Sequence, residues 1–487
     1  MKTKNIFFSI ISIFTLFSLS SGFIDDLSSI MEEKYNEYIN GSEDVNNKST
    51  TIDVLNTAFN SKVNYNGNSI IQDFTNIEYN EDFEKAERTT ITKNTKDLPF
   101  LSSYTPSVGD INALVIPVEF PDKKASNVKV KASSLNYQSV SSYFYNSSYG
   151  KLNMTFDIMD WQMMSNNSSY YERQTSSYYG DELGSSIIVN EALAKIDSQV
   201  DLSKYDNNND GYIDALYIIY SLPYDSDSNL WWAFQYTVYE NKVFDGVKSG
   251  NFIFASYYFL HNDSQFLDTT TYIHESGHML GLEDYYDYDN NQGYNKGGLG
   301  GADMMDCNMG DHNAFSKMSL GWIDNPIVVN LEKGEETIIT IDSLSTNGDF
   351  IILTNEYNKT NGMFQDYFIV QLIDADNPLN KNQTPFTKDG IRVYRIHAEL
   401  DGYGYEKYYK YDNSYTKYNL IDAISNRSKS VYAAYEYESI CAKSSDLFFA
   451  NDSLTSATYY DSTLKRLDYK FDVVSIKDDK ATLRIYR

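Results

Sequence analysis

The stretch YIHESGHMLGLEDYY, residues 272–286, decides how the rest of this chain is read. It contains H-E-x-x-H as His274, Glu275 and His278. On a helix a spacing of four places both imidazoles on one face, within reach of a single ion. Neutral imidazole nitrogens suit Zn²⁺, and Glu275, one position along, can reach a water held in the ion's open position and act as its general base. Gly281 can break the helix just past the second histidine, so that the chain turns back and Asp284 meets the metal. His274, His278 and Asp284 then make three protein ligands plus water, the arrangement expected of a catalytic zinc. Glu283, next door, is the rival third ligand. A chance H-E-x-x-H is the alternative. Against it, two of only five histidines fall in the motif, and a Gly-rich stretch with Met304 and Met305 follows some twenty residues on.

The chain has 487 residues, too many for one ordinary core, so two or three domains are expected. A formal charge of -28 excludes nucleic acid as a partner class, because phosphate backbones attract Lys and Arg. So acidic a balance reads as a solubilising surface, with local carboxylate clusters able to hold calcium. Lys2 and Lys4, an apolar run over 6–19 and the small residues Ser20, Ser21 and Gly22 predict a secretory signal peptide, 1–22. No later run is long and apolar enough to span a bilayer, so we expect a secreted, extracellular monomer with no stable membrane insertion. The two cysteines, Cys307 and Cys441, leave a disulfide open.

Residues 23–105 are polar and read as a pro-segment or N-terminal extension. From 106 the texture changes. ALVIPVEF (113–120) is a β-rich apolar run in which Pro117 suggests a bulge or an edge position. Residues 140–161 combine a helical start, a turn at Gly150 and an alternating strand. Residues 183–197 read as a helix, since Val189, Ala192, Leu193 and Ile196 recur at helical spacing. DNNNDGYID (206–214) resembles a calcium loop, with Asp206, Asn208, Asp210 and Asp214 at positions one, three, five and nine and the Tyr212 carbonyl at position seven. Tyr217 at position twelve is not the bidentate Glu of an EF-hand, and the loop runs into the strand 215–221. The expectation is therefore a structural ion, with a metal-free Asx-rich turn as its rival. Trp231 and Trp232 belong either to the core or to a cleft, and 252–259 reads as a strand. Beyond the metal helix, Met304 and Met305 are expected to floor the site without bonding the metal. His312 is expected to cap the helix starting near Asn313 or to donate to an oxyanion. After Pro326 short strands separated by Asn, Asp and Gly turns predict an antiparallel β-sandwich over 329–487, with His397 structural.

The pieces ALVIPVEF, SYGKLNMTF (148–156), DNNNDGYIDALYIIYS (206–221), HESGHMLGLEDYY (274–286) and GGADMMDCNMGDHNAFSKMSLGW (300–322) together resemble the immune inhibitor A family of secreted zinc metallopeptidases. That resemblance implies an α+β zincin-type catalytic domain over 106–328, zinc on His274 and His278, catalysis by Glu275, bound calcium, a β-rich C-terminal region and protein or peptide substrates. One departure is that Cys307 and Asn308 stand where related zinc proteases place a tyrosine. The competing expectation is a secreted zincin-scaffold protein whose catalysis has lapsed and which binds glycan or protein.

Overall fold

The computed structural model describes residues 62–63, 69–70 and 105–487, except 126–133, 176–181, 226, 240–241, 260–268, 287–298, 301, 324–325, 359–360, 382, 402–407, 415–417, 427–441 and 461–465. The expected signal peptide, nearly all of the expected pro-segment, residues 427–441 of the expected β-sandwich and with them Cys441 lie outside the described residues.

The chain folds as a mixed α+β structure with one mixed sheet followed by further, mostly antiparallel sheets. Its first sheet is built from β1 (Gly109–Glu119), β2 (Leu152–Ile158), β3 (Gln162–Met163), β4 (Ala215–Tyr220), β5 (Phe234–Thr237) and β6 (Asn251–Ser256). The order is β2-β1-β4-β6-β5, with β3 also pairing β1. All neighbours run parallel except the edge pair β6 and β5. Parallel strands covered on both faces read as unbroken apolar runs, and β4 is buried at every position.

Two layers of helix cover this sheet. Leu114, Ile116 and Val118 of β1 face a core shared with Ile188, Val189, Ala192, Leu193 and Ile196 of the helix Glu182–Ile196, which we call α2. The alternate residues Ile111, Ala113 and Val115 face a second core. There they meet Val140, Tyr143 and Phe144 of α1 (Ser134–Ser147) and Tyr272 and Ile273 of α3 (Thr269–Met279), the helix carrying the histidines.

Pro117 does not lie on an edge. β1 has β4 on one side and β2, then β3, on the other. The Met159 N–H donates to Val115 O and the Met164 N–H to Glu119 O, so Pro117 faces the interruption between β2 and β3. A residue without an N–H costs nothing where the neighbouring strand is broken. The run 252–259 is a strand only to Ser256 and continues as a 3-10 turn, Tyr257–Phe259.

Among the described residues the C-terminal part holds two larger sheets, besides the two-stranded pair Leu400–Asp401 and Tyr408–Tyr409. The first is β7 (Ile327–Val329), β9 (Phe350–Leu353), β10 (Asp366–Ile373), β11 (Gly390–His397) and β12 (Ile421–Ile424), in that order, with β7 parallel to β9 and the rest antiparallel. The second is the antiparallel set β8 (Glu336–Asp342), β15 (Lys480–Tyr486), β14 (Arg466–Lys477) and β13 (Ser453–Tyr460). Ile351, Leu353, Phe368, Val370 and Val393 from one face of the five-stranded sheet share a core with Phe471, Val473, Leu483 and Ile485 of the other sheet. Its opposite face is buried as well. Phe350, Ile352, Tyr367, Ile369, Tyr394 and Ile396 join the core beneath α1 and α3. This explains why β10 and β11 are buried almost throughout, where a strand of a solvent-facing sandwich would alternate.

Candidate metal centre

Helix α3 ends at Met279, and Gly281 takes φ +105°, a conformation that favours glycine and reverses the chain. The returning loop places Asp284 Oδ1 2.9 Å from His274 Nε2 and 3.2 Å from His278 Nε2. The two Nε2 atoms are themselves 3.1 Å apart. His274, His278 and Asp284 thus form a group able to hold a metal ion, and Glu283 is not part of it.

The tautomers follow from the partners on the far side of each ring. His274 Nδ1 lies 2.8 Å from Met304 O, and His278 Nδ1 lies 2.8 Å from Leu282 O. A carbonyl oxygen only accepts, so each Nδ1 carries a hydrogen, and a neutral ring then turns the lone pair of Nε2 toward the other ring and the carboxylate. Three acceptors about 3 Å apart repel unless a cation or protons stand among them. Without a metal a proton on the His278 ring would serve. Burial disfavours a charged His278, but the Asp284 carboxylate outweighs it and lifts the imidazole to about 10. Asp284 answers in the opposite sense: burial opposes its charge, yet His278 and His274 hold it well below the usual carboxylate range.

Glu275 sits beside this group, only 7 % exposed. Burial raises its carboxyl above the usual value despite the two histidines and the nearby Gln235 backbone amide of edge strand β5, which favour the charged form. Glu283 is lifted to about 7, chiefly by burial.

Beneath the helix lie Met304 and Met305, in the short helix Met304–Cys307 and fully buried. Met304 supplies the carbonyl that orients His274, and Met305 packs under Gly277. Asp303 caps this turn by accepting from the Met305 N–H and from Asn313 Nδ2. Cys307 is buried there.

His312 is not the helix cap. Asn313 holds that place, its side chain accepting from the Ser316 N–H of the helix Ala314–Ser319. The His312 ring instead packs among Tyr143, Phe144 and Trp322, and neither of its nitrogens has a hydrogen-bond partner among the described residues. Burial and the nearby Lys317 keep it neutral, well below its usual value. His397 pairs with Asp366 at 2.7 Å, away from the metal group.

The loop 206–214 closes on its own amides. Asp206 accepts from the N–H groups of Asp210 and Gly211, Asn208 from that of Asp210, and Asp210 from that of Tyr212. Asp214 accepts from the Asn207 N–H through Oδ2, while its buried Oδ1 has no hydrogen-bond partner among the described residues. Burial, with Asp210 and Asp206 nearby, pushes Asp214 up to about 8. The carboxylates of this loop are not among the described groups whose ligand atoms all lie within 4.8 Å of one another. Of the two tryptophans, Trp231 is core and Trp232 is 37 % exposed.

Three contributions have no signal in the motif. Asn413, from the loop before β12, donates to Tyr285 O at 2.8 Å. The Tyr286 ring lies parallel to that of His274, with centroids 6.4 Å apart. The Gln235 backbone amide favours the charged form of the acid from an edge strand forty residues upstream. No protein-family profile matches this sequence, and no curated protein matches it either.

Proposed function

We propose that the chain is a secreted zinc-dependent endopeptidase of zincin type, resembling the immune inhibitor A metallopeptidases. The observation that carries this reading is the convergence of His274 Nε2, His278 Nε2 and Asp284 Oδ1 while both Nδ1 atoms are committed to carbonyls. Two imidazoles and one carboxylate are the donor set of a catalytic zinc, and rings held by their far nitrogens need no reorientation to receive it. Bound there, zinc would polarise a peptide carbonyl and lower the pKa of water.

The remaining work falls to the protein. Glu275 takes a proton from the attacking water and returns it to the departing amine, and a carboxyl raised by burial is better matched to that task near neutral pH. β5 is the edge strand of its sheet and packs beside helix α3, which carries Glu275, so a peptide added along this edge runs past the acid. That arrangement favours extended protein segments as substrates. No helix among the described residues is long and apolar enough to cross a membrane. Calcium in the loop 206–214 belongs to the same reading as a structural ion, supported by the buried, unpartnered Asp214 Oδ1.

Gelatin or casein zymography of the secreted protein, with elemental analysis, tests the proposal. The expected result is about one zinc per chain for this site and clearing that a chelator abolishes and zinc restores. Clearing that persists unchanged after complete removal of metal would overturn it. Zinc bound without any hydrolysis would favour the lapsed, binding form.

A further inference from the structure

Asp284 is presented by a loop that must be held from outside, because helix α3 has already ended. Its neighbour Tyr285 is fixed on three sides. The Tyr285 N–H donates to Met305 O at 2.8 Å, its hydroxyl meets Ser316 Oγ at 2.8 Å, and its carbonyl accepts from Asn413 Nδ2 at 2.8 Å. The first two contacts come from the segment that floors the site. The third comes from the C-terminal sheets, 128 residues away in sequence.

Asn413 is 3 % exposed, and its amide is fully committed. Oδ1 accepts from the Ile421 N–H at 3.1 Å, and Nδ2 donates to Ile421 O at 3.0 Å as well as to Tyr285 O. The first of these fixes the orientation, since an N–H must meet the oxygen and two carbonyls must meet the nitrogen. Ser414 Oγ adds a longer contact of 3.4 Å to Tyr286 O. The side chain therefore pins β12 to the peptide that follows the carboxylate ligand.

Resting on the zinc reading above, we infer that Asn413 is a positioning residue for the metal centre, through which the C-terminal sheets hold Asp284 in place for the ion. An aspartate there has nearly the same shape but no Nδ2 hydrogens, so it sets a carboxylate oxygen against two carbonyl oxygens and releases Tyr285.

The test compares the full-length chain with Asn413→Asp and with Asn419→Ala. Asn419 is equally buried and serves the same loop, but its side chain donates to Asp422 and not to the metal loop. Zinc affinity is read by competition with a chromogenic chelator, and site geometry by the visible absorption of bound Co²⁺. Both are measured well below the melting temperature of each metal-free protein. The expected result for Asn413→Asp is zinc binding weaker by about 10- to 100-fold with an altered cobalt spectrum. Asn419→Ala should lower the melting temperature yet bind zinc within about twofold of the parent. Should Asn413→Asp fail to fold, Asn413→Ser, uncharged and retaining one donor, takes its place in the same comparison. Parent-like affinity and cobalt spectrum in a folded Asn413 variant overturn the inference while leaving the zinc reading intact. Equal losses in the Asn413 and Asn419 variants overturn it too, as a general effect of instability. Absence of zinc binding by the parent chain overturns the zinc reading, and this inference with it.

Discussion

Met305 occupies the space that a side chain on Gly277 would need: its sulfur lies 2.5 Å from where a Cβ at that position would be. Helix α3 and the methionine floor are therefore in contact through the one residue between Glu275 and His278 that has no side chain to spare. Gly277→Ala should cost about 1–3 kcal/mol in a urea titration, as overpacking of a close-packed site does. In a Met305→Ala background, itself destabilised by the cavity it opens, the added cost of Gly277→Ala should shrink, so the two changes will not be additive. Equal stability of Gly277→Ala and the parent would contradict the packing described.

Glu275→Gln keeps the shape and removes the base. Casein hydrolysis should fall by ~10²–10⁴-fold, the usual contribution of general acid–base catalysis, while zinc content stays at the parent level. Parent-like turnover in this variant would end the proposed mechanism.

His312 gives the protein a sensitivity to acid. It is held neutral in the fold, well below the value of 6.5 that the unfolded chain has. Below that pH the unfolded state binds the proton and the folded state does not, so stability falls as pH falls, by up to about 1.4 kcal/mol per pH unit from this group. Tyr143 and Lys317 flank the ring. His312→Phe, matched to the aromatic surroundings, should flatten the decline between pH 6 and 4.5 in denaturation midpoints. An unchanged slope would show that other groups set it.

Lys317 and Asp311 form a buried ion pair at 2.7 Å, with Lys317 Nζ also 3.1 Å from Tyr149 Oη and Asp311 accepting from Ser147. Burial pulls the Lys317 ammonium below its usual value, so it depends on this carboxylate. Lys317→Met should destabilise by about 3–5 kcal/mol, because it strands a buried charge. Lys317→Met combined with Asp311→Asn should recover a measurable share, and a double-mutant cycle without coupling would refute the pairing.

The loop 206–214 can be probed with terbium, with Tyr212 of the same loop as the sensitising phenol. Saturable emission, competed by calcium and lost in Asp214→Asn, is the expected result, together with a calcium-dependent rise in melting temperature. No saturable signal would leave the loop as a turn closed on its own amides.

Local sequence carried the parts of the site that local geometry builds. The four-residue spacing of His274 and His278, the reversal at Gly281 and the return of Asp284 all lie within eleven residues and obey helix periodicity and glycine's freedom at positive φ. The helix predicted over 183–197 appears as Glu182–Ile196 for the same reason. What the pattern missed depends on partners far along the chain. Pro117 reads as a bulge or an edge residue until the gap between β2 and β3 is known, and His312 reads as a cap or an oxyanion donor until Asn313 is found at the cap and the ring among Tyr143, Phe144 and Trp322. Asn413 is one asparagine among many, and only the fold brings its amide to Tyr285 O. The nearly unbroken apolar run DYFIVQLI of β10 is itself the mark of a strand covered on both faces, but which elements do the covering depends on partners far along the chain.

A sheet with protein on both sides does not tolerate losing either of its covers. Cleaving the chain ahead of Ile327 would uncover Phe350, Ile352, Tyr367 and Ile369 on one fragment and the floor of the histidine helix on the other. Neither piece would find water an acceptable replacement. Any shortened version made for crystallisation or display must therefore keep both halves, and damage to the last third of the polypeptide should register at His274 and His278 as surely as damage beside them.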